Sequence, residues 1–128
     1  MNTTKRILLD TNAYSALLGG DTQVLTVVEQ AWQIFFSTIC LGELLFGFRH
    51  GDKETVNKAQ LESFLQQSTV RIAPVSDQTV HWYANIFLQL KQSGTPIPIN
   101  DVWIAAQTME LGATLITYDN HFKLVSGL

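Results

Sequence analysis

An apolar run, Ile7-Leu8-Leu9, ends abruptly on an acid, Asp10, followed by Thr11 and Asn12. Three large aliphatic residues without polar alternation fit a strand buried on both faces, in the middle of a parallel sheet covered by helices. Asp10 then projects from the carboxyl end of that strand, where open α/β sheets gather ligands and reactive groups. Thr11 and Asn12 turn the chain into a helix. A carboxylate so placed is poorly solvated and needs a partner.

The rest of the chain supplies the layers such a strand requires. Residues 11–18 read as a short helix stopped by Gly19-Gly20, and Asp21 caps a second helix running to about Trp32. Residues 33–37 form a second buried strand, after which Ser37 or Thr38 caps a third helix reaching His50. Residues 53–67 give a polar fourth helix, and Val70-Arg71-Ile72 a third strand. Pro74 breaks that strand, and Ser76 or Asp77 caps a long fifth helix ended by Gly94. Pro96 and Pro98 deliver the backbone stiffly to Asn100, read as the cap of a sixth helix with Asp101 in its first turn. Gly112 stops it, and residues 113–117 form a fourth strand. The order β-α-α-β-α-α-β-α-α-β predicts an α/β sandwich with a mostly parallel sheet. At 128 residues this is one domain, spanning 1–128.

Composition narrows the function classes. The formal net charge of −3 excludes a global basic field that would draw in nucleic acid. The longest apolar stretch, residues 39–48, is interrupted by Glu43 and too short to span a bilayer, so no membrane role is expected. No secretory signal precedes the first strand, and the single cysteine, Cys40, has no internal disulfide partner. Both features fit a reducing cytoplasm.

Three further acids return to the edge that Asp10 occupies. On the third helix the apolar stripe is Cys40, Leu41, Leu44, Leu45 and Phe48, and Glu43 falls at its flank, where it is expected to be half-buried. Asp101 stands in a helix's first turn, and Asp119 follows the last strand with Thr117 facing the same way. Singly, Asp101 is explained as a helix-start residue and Asp119 as a turn aspartate. Together the four have one shared cause, because gathered carboxylates repel one another unless a cation lies between them. Oxygen donors without cysteine or paired histidine suit Mg²⁺ or Mn²⁺, which can activate a water for attack on a phosphodiester. His50, His81 and His121 are scattered and read as helix-end, helix-surface and turn residues. Trp32, Trp82 and Trp103 read as core or dimer packing.

The ordered set resembles a known family. Asp10-Thr11-Asn12 after a buried strand, Glu43 in Leu-Gly-Glu-Leu-Leu-Phe-Gly, Asn100-Asp101-x-x-Ile104-Ala105-Ala106 and Thr117-x-Asp119-x-x-Phe122 are similar, in order and spacing, to PIN-domain nucleases, and most of all to VapC-type toxins. The resemblance covers essentially the whole chain. It implies a PIN-like three-layer α/β/α sandwich with a mostly parallel four- to five-stranded sheet, and a Mg²⁺- or Mn²⁺-dependent endoribonuclease. It also implies a homodimer neutralised by a VapB-like antitoxin, with which it forms a hetero-oligomer on operator DNA. Asp10, Glu43, Asp101 and Asp119 match the acidic quartet. Asp10 and Asp101 are then direct metal ligands, Glu43 and Asp119 bind directly or through water, and Glu43 is a candidate to orient the nucleophile. Thr11, Asn12 and Thr117 match supporting polar positions.

Two other classes stand beside this one. A Mg²⁺-dependent phosphatase or phosphotransfer domain also starts with a strand-end aspartate, but its Asp-x-Asp pattern meets Asn12 here, and no lysine ends the last strand. A catalytically silent RNA- or protein-binding module tolerates the acids without explaining them.

Overall fold

The computed structural model describes residues 5–128. Strands β1 (Arg6–Leu9), β2 (Gln33–Ser37), β3 (Val70–Ala73) and β4 (Thr114–Ile116) form one sheet in the order β3-β2-β1-β4. Every pairing is parallel, with Leu8 opposite Phe35 on one side and Leu115 on the other. Parallel neighbours need long crossovers, and pairs of helices supply them. Helices α1 (Thr11–Leu18) and α2 (Thr22–Gln30) join β1 to β2, and α3 (Thr38–His50) and α4 (Glu54–Leu65) join β2 to β3. Helices α5 (Thr79–Ser93) and α6 (Ile99–Glu110) carry the chain from β3 across the whole sheet to β4. A 3₁₀ turn at Asn120–Leu124 follows.

Side-chain alternation along β2 shows that both faces are covered. Phe36 joins Tyr14 of α1 and Phe64 of α4 in an aromatic cluster with ring centroids 5.1–6.0 Å apart. The next residue, Ser37, points the other way and meets Gln107 of α6. The layers are therefore helix, sheet and helix, as expected, and the sheet has four strands among the described residues. Ile7, Leu8 and Leu9 have no exposed surface at all, which confirms β1 as the central strand.

Several local readings shift. The fifth helix begins at Thr79 with Gln78 in the capping position, not at Ser76 or Asp77. Its start is set by a tertiary contact, because the buried Thr79 hydroxyl accepts from Ser76 N at 3.0 Å and donates to Glu110 at the end of α6 at 2.7 Å. Its end matches the stop signal, with Gly94 in the left-handed region at φ +68°. Of the tryptophans, Trp103 stacks on Tyr83 between α6 and α5 at 3.8 Å, whereas Trp32 and Trp82 are exposed.

Gln107 is the polar residue that most constrains the fold. It is fully buried; its Oε1 accepts from the Ser37 hydroxyl at 2.5 Å, and its Nε2 donates to the Ala73 carbonyl at 2.8 Å. One amide thus clamps α6 to the carboxyl ends of β2 and β3. Ser37 also caps α3 through Ile39 N, so the clamp fixes where that helix starts. Gln107→Leu strips partners from two buried polar groups and should destabilise the protein by about 2–4 kcal/mol. Urea unfolding should show a lower midpoint with an unchanged slope.

Candidate active site

Asp10, Glu43, Asp101 and Asp119 line one cavity of about 610 Å³ at the carboxyl end of the sheet, together with Thr11, Asn12 and Asn100. Asp10 leaves the central strand as the cap of α1, and its Oδ1 accepts from Ala13 N at 2.8 Å. Oδ2 accepts from the Thr117 hydroxyl at 2.5 Å. Glu43 comes from α3 and is held between two donors, the Thr11 hydroxyl at 2.5 Å on Oε1 and the Asn100 amide at 3.2 Å on Oε2. Asp101 in the first turn of α6 has His121 Nε2 at 2.6 Å from its Oδ2. Asp119 lies where this cavity meets a larger one of about 790 Å³ along β4, which holds none of the other three acids.

The electrostatics are those of carboxylates gathered at one strand edge. No lysine or arginine lines the cavity among the described residues. Asp10 is only 3% exposed, and burial pushes its carboxyl above the usual range. The hydrogen bonds from Thr117 and Ala13 N pull it back, while the charges of Asp119 and Glu43 push it up again. Asp101 is likewise raised, first by burial and then by Glu43 and Asp119, with the His121 ring acting in the opposite direction. Among the described residues no three acid, histidine or cysteine side chains stand close enough to enclose an ion as placed. Asp10 and Glu43 have instead turned both oxygens onto protein donors. Cys40, buried beneath Thr11 and with its thiol pushed up to about 12 chiefly by burial, is no nucleophile.

Four expectations are corrected. Glu43 is exposed rather than half-buried, because the flank of the α3 stripe opens onto the cavity. Asn100 is not the cap of α6; Pro98 occupies that position, and Asn100 reaches from the first turn to Glu43. β4 runs from Thr114 to Ile116 rather than over 113–117; beyond it the Thr117 hydroxyl accepts from Asp119 N at 2.9 Å, and Asp119 keeps an extended backbone. His121 is more than a turn residue, since it touches Asp101. Asn12 is exposed on the cavity wall. Asn100 and His121 are the site residues that spacing missed; the available signal was their place in sequence, Asn100 next to Asp101 and His121 two residues after Asp119.

The chain belongs to the PIN-domain family, whose model matches residues 7–128. Among its relatives, the ribonuclease VapC2 of Rickettsia felis is 32% identical over 96 residues, which span 74% of this chain and 70% of that protein. The ribonuclease VapC5 of Mycobacterium tuberculosis is 25% identical over 120 residues, covering 94% of this chain and 87% of the relative. The crystal structure of VapBC2 from Rickettsia felis, bound to a DNA fragment from its promoter, superimposes with a TM-score of 0.85 at 28% identity over 96% of this chain and 95% of that one. No helix among the described residues is long and apolar enough to cross a membrane.

The raised carboxyls make a prediction for stability. A group whose folded pKa exceeds its unfolded value of 3.8 contributes most below that value. Its contribution is lost as the pH rises through the window up to the folded pKa. At neutral pH and without divalent ions, Asp101→Asn should therefore melt at a higher temperature than the wild type. The gap should close as the pH falls toward 3.8. Scanning fluorimetry in EDTA across that range measures it, and a variant that melts lower at neutral pH contradicts the account.

Proposed function

We propose that this protein, as a single PIN domain over residues 1–128, is a Mg²⁺- or Mn²⁺-dependent endoribonuclease of the VapC type, the toxin of a toxin–antitoxin pair. The observation that carries the proposal is the meeting of four carboxylates in one cavity that, among the described residues, has no lysine or arginine in its lining, in a chain whose relatives include VapC ribonucleases. All-oxygen donors from Asp10, Glu43, Asp101 and Asp119 suit a hard divalent ion, which would offset the neighbouring negative charges that raise Asp10 and Asp101. When bound, the ion supplies a Lewis acid that activates water and steadies charge on the scissile phosphate.

The chain's own groups have separable tasks. Asp10 and Asp101 are the direct ligands, and Asp119 binds directly or through water. Thr117 holds Asp10 in its rotamer, while Thr11 and Asn100 hold Glu43 on the open side of the cavity, where it orients the attacking water. Asn12 on the wall supports the substrate side. RNA is the substrate and the cytoplasm the compartment. The VapBC2 complex on promoter DNA supports a VapB-like antitoxin as partner, with the toxin as a homodimer inside a larger hetero-oligomer.

Purified protein should cut RNA when Mg²⁺ or Mn²⁺ is present, leave 5′-phosphate ends, and stop with EDTA. Asp10→Asn should lower kcat by about 100-fold or more, the scale on which loss of one charge-stabilising group acts. A variant that keeps its activity removes Asp10 from the mechanism. Expression should arrest growth, and a co-expressed VapB-like antitoxin should restore it.

A further inference from the structure

We propose that Tyr118 is a stacking platform for an unpaired base of the RNA strand, and that the groove along β4 is where that strand leaves the acidic cavity. The inference rests on the ribonuclease reading above and deepens it by naming the substrate class, single-stranded or looped RNA.

The first observation is a tyrosine arranged the wrong way round for packing. A tyrosine that serves the core buries its ring, as Tyr14 does at 1% exposure. Tyr118 is 53% exposed and ties down its hydroxyl instead, which donates to Asp21 Oδ2 at 2.7 Å and has Gln23 Oε1 at 3.1 Å. The anchor is itself fixed, because Asp21 caps α2 by accepting from Val24 N at 3.0 Å. The ring is therefore held in one orientation with aromatic surface open to solvent. A base stacking on it costs little side-chain entropy, since that freedom was already lost on folding.

The second observation is its place. Tyr118 stands between Thr117, whose hydroxyl is bonded to Asp10, and Asp119, the residue shared by the acidic cavity and the groove of about 790 Å³. The ring thus starts one residue away from the acid cluster on either side. A polymer that reaches the acids must continue past them, and the groove is the concave surface that carries on from Asp119. Trp82, 41% exposed, also lines it, as does Lys123, which no ion pair engages among the described residues.

Charge and edge length select the occupant. The chain carries a net charge of −3, and among the described residues the acidic cavity has no lysine or arginine in its lining. Attraction to phosphates, the usual source of affinity for nucleic acid, is therefore weak here. Stacking supplies what charge does not, and it requires bases whose faces are free of a duplex. A peptide strand added to β4 would find an edge of only three residues, Thr114–Ile116.

Random-sequence single-stranded RNA with 5-iodouridine in place of uridine, bound to the Asp10→Asn protein so that it is not cut, tests this. Irradiation should cross-link it to Tyr118 in peptide mapping, and a duplex should compete poorly. In the active protein, Tyr118→Ala should raise KM for the single-stranded pool about tenfold with kcat nearly unchanged. Tyr118→Phe keeps the ring, gives up the bond to Asp21, and should stay near the wild type. Equal losses in both variants reduce Tyr118 to a tie between the loop and α2 and overturn the proposal, as does an unchanged KM in Tyr118→Ala or a duplex that competes equally. A Tyr118→Ala protein that binds RNA normally but passes from dimer to monomer on sizing assigns the groove to a second copy of the chain and also overturns it. If Tyr118→Ala is misfolded by circular dichroism, the cross-link and Tyr118→Phe decide, and a cross-link mapping away from the groove refutes the platform. A wild type that neither binds nor cuts RNA overturns the ribonuclease reading together with it.

Discussion

Asp10 takes a hydrogen bond from the first turn of α1 and another from the hydroxyl that follows β4. Its own backbone N–H donates to the Ile116 carbonyl at 3.3 Å. Three elements, the central strand, its helix and the edge strand, therefore meet at one carboxylate that is almost wholly buried. The two donors offset part of the desolvation of the charge without removing it, and the net direction remains upward. A neutral side chain would sit more comfortably there. That an acid occupies the position is the sign that stability alone did not select it.

The same tension runs through the cavity. Three of the four acids are steadied, each by a different device: a helix start and a threonine for Asp10, a threonine and an asparagine for Glu43, an imidazole for Asp101. These devices come from elements that are held rigidly for other reasons. α6, which carries Asn100 and Asp101, is clamped by Gln107 to two strand ends, and the amide's contact with Ser37 also sets the start of the helix that carries Glu43. Residues deep in the opposite face thus determine the distance between carboxylates that never touch them.

Much of this was readable from the chain alone, and the limits are instructive. The strand-end position of Asp10 followed from an apolar run stopped by an acid, and the layer order followed from alternating periodicity. The grouping of the four acids followed from each lying where a strand ends or a helix faces one edge. What escaped was contact across elements. Periodicity placed Glu43 at a flank but could not say whether that flank met protein or open space. Asn100 carries a strong capping propensity, and the tertiary partner Glu43 outweighed it. His121 looked like a turn residue because the geometry that aims it comes from Phe122 in the core. Gln107, in the run Ile104-Ala105-Ala106-Gln107-Thr108, gave no signal, since its partners lie 34 and 70 residues away.

Asp10 and Thr117, 107 residues apart, bond to each other because β1 lies beside β4, the last strand of the sheet to be made. A nascent chain emerging from the ribosome can complete β1, β2 and β3 and still lack the hydroxyl that orients its first acid, the loop that carries the fourth, and the turn that brings the imidazole. The closed cavity is consequently a late event of synthesis. Until then the growing polypeptide holds Asp10, Glu43 and Asp101 without the segment that completes the cavity.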